Sequence, residues 1–503
     1  MTALASSGPI KQSELEPYLW GAAVLLRGLI DAGDYKGYIF PLVFLKRISD
    51  VWDEEHQAAL TVYGDEELAD LPENHRFGIP GGAHWNDIRS TTTNIGSKLV
   101  SSMRAIESAN PDALAGVFGD ADWTNKNLLS DAVLADLVEH FSAKTLSIAN
   151  LPEDELGNGY EYLIKRFADD SGHTAQEFYT NRTLVHLMAQ MLKPKPGESI
   201  YDPTCGTGGM LISCVAEVRN QGKDYRTLGL FGQERNHTTA SIAKMNLFLH
   251  GVEDGHIIHG DTLANPGLLD EQGALRKFDI QLANPPYSIK NWNREAFAHD
   301  PYGRNLWGVP PQGRADYAFC QHIAASMNPK TGRAAILFPH GVLFRQEEKA
   351  MRENLVKSGL LEAVIGLGAG LFYNSPMEAV VVVLRAGRAS KQRDSVLFIN
   401  AVELVTRERA KSFLRPSDQK QILSAYEDYK DVPGLAKVAS AKDIAAKDYS
   451  LSIPLYVEPA AAARGTLATG SVVASATAWR LAAAEADKAV NGVLAFLAEE
   501  VQS

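Results

Sequence analysis

Two short runs of this chain carry side chains whose types and spacing suit a group-transfer reaction. The first, Asn284-Pro285-Pro286-Tyr287, follows Phe278-Asp279-Ile280-Gln281-Leu282-Ala283, a β-favouring run that reads as a buried strand. An exocyclic amine on a planar ring is a poor nucleophile, because its lone pair is delocalised into the ring. The Asn284 side-chain oxygen and the Pro285 backbone oxygen can each accept one N–H of such an amine and draw its nitrogen towards a tetrahedral shape. Two successive prolines fix φ and donate nothing, so these carbonyls are held stiffly. Tyr287 offers a face on which the ring can stack. Pro-Pro after a strand is also an ordinary loop, so the weight of the motif rests on what lies upstream.

Upstream, Ser199-Ile200-Tyr201-Asp202-Pro203-Thr204-Cys205-Gly206-Thr207-Gly208-Gly209-Met210 reads as a strand running into a glycine loop and then a helix. No Gly-Lys-Ser/Thr follows, so it is not a Walker phosphate loop, and the spacing is not the dinucleotide one either. Gly206, Gly208 and Gly209 let the backbone bend tightly and approach a ligand. Glu234, at the tip of the next strand, is placed to hold a ribose. Asp261, in His259-Gly260-Asp261-Thr262, closes a third strand and can accept from an adenine amine. Glycine loops also merely turn chains, and acids at strand ends also cap helices; it is the ordered series that points to a nucleoside-bearing cofactor.

Such a series needs an open, mostly parallel α/β sheet, whose carboxyl edge is where ligands bind. Further strands are expected at 332–339, 362–367 and 378–385. A helix with Leu184, Leu187, Met188, Met191 and Leu192 on one stripe precedes the glycine loop, with Thr180 as its expected cap and Pro194 and Pro196 ending it. Asp316-Tyr317-Ala318-Phe319 opens another helix, in which Phe319 is expected to be core rather than a wall of the base pocket. The loop at 288–312 is rich in Asn, Trp, Arg and Gly and is expected to cover an extruded nucleotide.

The region up to about residue 150 reads as helical. Leu15, Leu19, Ala22, Leu26 and Leu29 recur at helical spacing behind Ser13 as N-cap, and a second apolar segment runs from Tyr38 through Phe44 and Ile48 to Trp52. Asp53-Glu54-Glu55 and Asp65-Glu66-Glu67 read as solvated faces. Beyond Leu384 the strand rhythm is lost. A Pro/Ala-rich linker at 459–465 then leads to a helix whose Trp479, Ala482, Ala486, Val490, Val493 and Leu497 form a seam wanting a partner helix. The expected divisions are therefore 1–155, 156–400, 401–459 and 460–503.

At 503 residues the chain exceeds one core and implies roughly three domains. Apolar stretches such as 379–384 are too short to cross a bilayer, and the first residues lack a basic segment followed by an apolar one, so a cytoplasmic protein is expected. Cys205, Cys214 and Cys320 have no spacing that suggests a metal site or a disulfide framework. The net charge of −12 is unlike that of a chain gripping DNA by itself. Either it does not bind nucleic acid or a partner supplies the cationic surface.

Residues 202–209 together with Asn284-Pro285-Pro286-Tyr287 resemble the cofactor and catalytic motifs of S-adenosylmethionine-dependent amino-methyltransferases acting on DNA. More closely, the chain resembles the modification subunit of type I restriction-modification systems, over nearly its whole length. The likeness takes in Leu19-Trp20, Leu25-Leu26-Arg27, Phe44-Leu45-Lys46, Glu177-Phe178-Tyr179-Thr180-Asn181-Arg182, and the stretches 338–345 and 447–457. It implies a Rossmann-like methyltransferase sheet with a helical N-terminal domain and a helical C-terminal tail. It also implies that Glu177 to Arg182 and the Thr207-Gly208-Gly209 turn bind the methionine end of the cofactor, with Asp202, Thr204 and Gly206 in the same set, and that Glu234 holds its ribose. Asn181 stands where the family usually has proline, and Tyr287 where phenylalanine is commoner.

The activity implied is methyl transfer to N6 of an adenine flipped out of double-stranded DNA. Two copies would join one DNA-specificity subunit that reads the target, and a restriction motor-nuclease subunit would join them, away from any membrane. The residues alone also admit cytosine N4, an RNA base or a protein glutamine as acceptor. A catalytically silent cofactor-binding scaffold is the remaining alternative; its signature would be a damaged loop or tetrapeptide, and both are intact.

Overall fold

The strand-forming runs are β-branched and aliphatic with few polar interruptions, as in sheets covered on both faces. In the computed structural model, which describes residues 9–170, 180–371, 378–408 and 411–458, they form β1 (Ser199–Asp202), β2 (Gly229–Glu234), β3 (His256–His259), β4 (Ile280–Ala283), β5 (Arg333–Pro339), β6 (Leu361–Leu367), β7 (Ala379–Arg385) and β8 (Ser395–Ala401). A separate hairpin pairs β9 (Thr406–Glu408) with β10 (Lys411–Phe413), and β11 (Ala436–Ser440) returns to the main sheet. Glu177, Phe178 and Tyr179, and the seam at 479–497, lie outside the described residues.

The nine-stranded sheet has the order β11-β8-β6-β7-β5-β4-β1-β2-β3. β7 runs antiparallel between β5 and β6, β11 antiparallel to β8, and the other pairs are parallel. From β1 the chain builds outwards to β2 and β3, then crosses back to β4 and β5. The crevice above the carboxyl ends of β1 and β4 is therefore the topological switch point. One face is covered by helices Arg182–Leu192, Gly209–Asn220, His237–Leu249 and Pro416–Asp428, the other by Asp316–Ser326, Lys349–Ser358 and Ala441–Ala446.

The expectations beyond Leu384 and at the boundary near residue 155 meet a different arrangement. β8 and β11 extend the sheet past residue 384, so the segment expected as a mixed extension shares the sheet's own core. Its rhythm is hidden because β11 is only five residues long and lies at the sheet edge, with just Ala436 and Ala439 buried. Helix Glu153–Asp170 spans the expected boundary at 155, and its Tyr160, Leu163 and Phe167 pack in the N-terminal core.

In that core, helix Gln12–Leu25 buries Leu15, Leu19 and Ala22, with Leu15 and Leu19 lying against Gly159 of helix Glu153–Asp170, and Leu26 is buried just past its end. Leu29 is exposed, and the N-cap is Lys11, because the helix starts one turn position before Ser13. Ile242, Met245 and Leu249 of the catalytic-side helix His237–Leu249 belong to the same cluster, and Phe248 stacks edge-on to Phe44 and Phe77 at 5.2 and 4.9 Å. Glu54 and Glu55 are not on a solvated face. Glu54 accepts the Ile148 and Ala149 N–H groups at 2.7 and 3.1 Å, and Glu55 meets Arg76 at 3.3 Å. Arg76 also reaches Glu153 at 2.8 Å.

Buried Arg333 at the start of β5 fixes the helix that aims at the glycine loop. Its guanidinium donates to both Glu198 oxygens at 2.9 and 2.8 Å and to the Leu192 and Lys193 carbonyls at that helix's C-terminal end. Arg333→Ala would leave Glu198 and two carbonyls without their donor, and denaturant unfolding should read a loss of about 3 kcal/mol. A loss under about 0.5 kcal/mol would mean the helix is held by packing alone.

Candidate active site

The tetrapeptide stands at the carboxyl end of β4, beside the β1 loop. Asn284 donates from Nδ2 to the Thr180 hydroxyl at 2.9 Å, across 104 residues of sequence. With that end of the amide committed, Oδ1 is the edge presented as an acceptor. Pro285 is buried and Pro286 half-buried. Tyr287 packs against the sheet core, and burial, with the nearby Asp316 carboxylate, pushes its hydroxyl well above the ordinary tyrosine range, so it stays neutral.

Thr180 is therefore not the cap of the next helix. That place is taken by Asn181, whose Oδ1 accepts from the Thr183 N–H at 2.9 Å while Nδ2 donates to the Ser412 carbonyl on β10 at 2.8 Å. Arg182, the first residue of the helix, pairs with Glu161. Its guanidinium lies over Gly209, where an added Cβ would fall 2.1 Å from Nη1. The chain around residue 180 and the glycine loop are thus brought together.

Within the loop, Gly206 and Gly208 have φ of +54° and +82°. These values, rather than lack of room, call for glycine, since a Cβ on Gly208 would meet Ala243 only at an ordinary 3.6 Å. The crowded position is Gly209. The Gly206 N–H donates to Glu234 at 3.0 Å, and the Asn236 N–H holds the other oxygen at 2.8 Å, so the acid at the tip of β2 is tied directly to the loop after β1. Thr207 offers its carbonyl to Asn246 at 2.8 Å.

Asp202 is buried and accepts the Thr204 N–H at 3.0 Å. Burial, helped by the Glu234 carboxylate, pushes its pKa up to about 8. Asp261 uses one oxygen to accept the Leu263 and Ala264 N–H groups at 2.9 and 3.1 Å, with Arg235 3.6 Å from the other. Phe319 is core, packed with Leu263, Phe297 and Ala318; Ile289, Trp292 and Val309 from the 288–312 loop rest on that cluster.

Three contacts had no expectation attached. Asn246 sits fully buried on helix His237–Leu249 and spends its amide on the Thr207 carbonyl of the glycine loop. The Asn181–Ser412 and Asp316–Ser288 contacts leave no local pattern.

The strand order, the glycine loop after β1 and the helical N-terminal unit define a Rossmann-like α/β methyltransferase. The N-6 DNA Methylase pattern matches residues 152–464, and the HsdM N-terminal domain pattern matches 15–141. The MjaVIII type I restriction enzyme methylase subunit of Methanocaldococcus jannaschii is 30% identical over 444 residues, 84% of this chain and 72% of that one. The MpnII methylase subunit of Mycoplasma pneumoniae is 25% identical over 499 residues, 89% and 90% of the two chains. The crystal structure of a type I restriction-modification methyltransferase subunit from Streptococcus thermophilus superposes with a TM-score of 0.78 at 30% identity, covering 89% of this chain and all of that one. This chain belongs to the N-6 DNA methylase family.

The adjacent residues Thr180 and Asn181 should separate cleanly on mutation. Thr180→Val frees the Asn284 amide and should slow methyl transfer roughly tenfold with thermal stability nearly unchanged. Asn181→Ala removes the helix cap and should cost about 1 kcal/mol of stability. Thr180→Val at parental rate in a single-turnover assay would mean that another group orients the amide.

Proposed function

We propose that this chain is the methyl-transferring subunit of a type I restriction-modification complex, moving methyl from S-adenosylmethionine to N6 of an adenine flipped out of double-stranded DNA. The observation that carries the reading is the Asn284 amide at the switch point, oriented by Thr180 with its acceptor edge presented.

The residues suit the cofactor. Arg182 above Gly209 and the N-terminus of helix Gly209–Asn220 favour a carboxylate. Asp202 and Glu234 form an acidic pair that favours an ammonium and ribose hydroxyls. When bound, the cofactor would supply an electrophilic methyl group, its sulfur keeping the electron pair of the broken S–CH3 bond and leaving as a neutral thioether. Asn284 Oδ1 and the Pro285 carbonyl accept the two N–H groups of the target amine, so that its lone pair is turned out of the ring as the new C–N bond forms. Tyr287 stacks on the ring, and the proton that the nitrogen sheds passes to solvent. A paired adenine buries this amine in the duplex, so the base has to be extruded first.

The chain is acidic, and sequence reading requires side chains at base edges and a cationic surface on phosphates. The reader is therefore a separate specificity subunit serving two copies of this chain, and a motor-nuclease subunit completes the restriction complex. The named relatives are themselves methylase subunits. No helix among the described residues is long and apolar enough to cross a membrane, and a cytoplasmic location fits the reading.

Nucleoside mass spectrometry of DNA treated with the assembled complex and labelled cofactor should find N6-methyladenine; N4-methylcytosine instead would move the acceptor. Asn284→Ala should keep cofactor binding and lose about a hundredfold or more in rate, and Tyr287→Phe should cost far less than Tyr287→Ala.

The pH dependence of cofactor binding follows from Asp202. Its pKa is raised from 3.8 to about 8, so near neutrality the folded carboxyl is largely protonated and the unfolded one ionised, and this contribution to stability declines as pH climbs through that window. A cationic ligand favours the ionised form. Cofactor affinity should therefore strengthen as pH rises to about 8 and then level off, with proton release in calorimetry. Asp202→Asn should flatten the curve, and a pH-independent affinity in the parent would place the charge elsewhere.

A further inference from the structure

The chain leaves the tetrapeptide through Ser288, a non-glycine residue with a left-handed φ of +53°. Such a conformation costs a side-chain-bearing residue about 1–2 kcal/mol and persists only where surrounding contacts hold it. The hold is a hydrogen bond from the Ser288 N–H to Asp316 Oδ1 at 3.1 Å. Asp316 is only 1% exposed, and Arg345 donates from Nη1 to its Oδ2 at 2.9 Å.

The fold makes room for this guanidinium. It passes over Gly341, where an added Cβ would lie 2.4 Å from Arg345 Nε, so the position tolerates no side chain while Arg345 keeps its place. The backbone of Arg345 is fixed as well, since its carbonyl accepts from Nη1 of the fully buried Arg352 at 2.7 Å. Arg352 in turn donates from Nε to the Tyr449 carbonyl at 3.0 Å, and the Leu451 N–H donates to the Leu343 carbonyl at 2.8 Å. The turn after β5 is thereby fastened to the segment around residue 450. Glu348, fully buried 3.5 Å from Arg345, is the second carboxyl at this guanidinium.

We propose that Arg345 is a positioning residue for methyl transfer, holding the exit turn of Asn284-Pro285-Pro286-Tyr287 through Asp316 and the Ser288 N–H. It touches neither the amine nor the cofactor set. Without it, the buried Asp316 would lose its ion-pair partner, and nothing would hold its Oδ1 under the Ser288 N–H. The turn would then relax, and the tetrapeptide carbonyls would lose their aim, with little change in how tightly DNA or cofactor is held.

The inference rests on the function proposed above, and the complete complex with target DNA tests the two separately. Arg345→Gln should lower kcat by roughly thirtyfold while KM for DNA and for the cofactor stays within about twofold, the pattern of misaligned groups. Arg345→Lys, which keeps the charge, should recover to within about threefold of the parent. Asp316→Asn should match Arg345→Gln, and the double variant should be no slower than either, as expected of residues acting in one chain of contacts. Arg345→Gln at parental kcat, or a loss confined to KM, would overturn the proposal. Should Arg345→Gln fail to assemble, Asp316→Asn at parental kcat overturns it equally. A parent complex that transfers no methyl would remove the functional reading first.

Discussion

The hydrogen bond from Asn284 to Thr180 is the contact on which the geometry of the site depends. In energy it is an ordinary one, about 1 kcal/mol net. Its effect is directional: an amide has a donor end and an acceptor end, and committing the donor end settles which one a ligand meets. For that to work, residue 180 must itself be immobile. The neighbouring Asn181 caps the following helix and is tethered to β10, while Arg333 clamps the far end of the same helix to the sheet. The rigidity of a loop residue is thus borrowed from two elements that have no chemical part in the reaction.

Charge is arranged around the same point with opposite signs a few residues apart. Arg182 lies over Gly209, and Asp202 and Glu234 share the other end of the loop. An ionised Asp202 buried beside Glu234 would be costly with no cation present, and the protein avoids that cost by keeping a proton on the carboxyl.

Much of this was readable from the chain because it is local. The strands flanking the glycine loop and the tetrapeptide are short runs bounded by turn residues, and the register of β2 brings Glu234 to its carboxyl end. What could not be read depends on partners distant in sequence. Thr180 and Asn181 are both competent caps, and only the proximity of Asn284 assigns the threonine to another task. Gly208 and Gly209 look equivalent in sequence, yet one is required by its φ and the other by the guanidinium above it. Glu54 and Glu55 resemble surface acids because the amides and arginine they serve lie elsewhere in the chain. β11 has too short a run to announce itself and is recruited by the edge of β8.

The pairing of β9 with β10 has a consequence for how the molecule is made. Asn181 donates to Ser412, and the Leu414 N–H donates to Thr183, each across 231 positions of sequence. Closing loops of that size is slow, and a chain emerging from the ribosome cannot close them until the distal partner has been synthesised. The glycine loop and the tetrapeptide are both translated well before Ser412, but the anchor of Asn181 is completed only once β10 has been made. Alignment for chemistry is in this way deferred until nearly all of the described chain has been made, so a nascent or prematurely ended polypeptide would carry the motifs without the geometry.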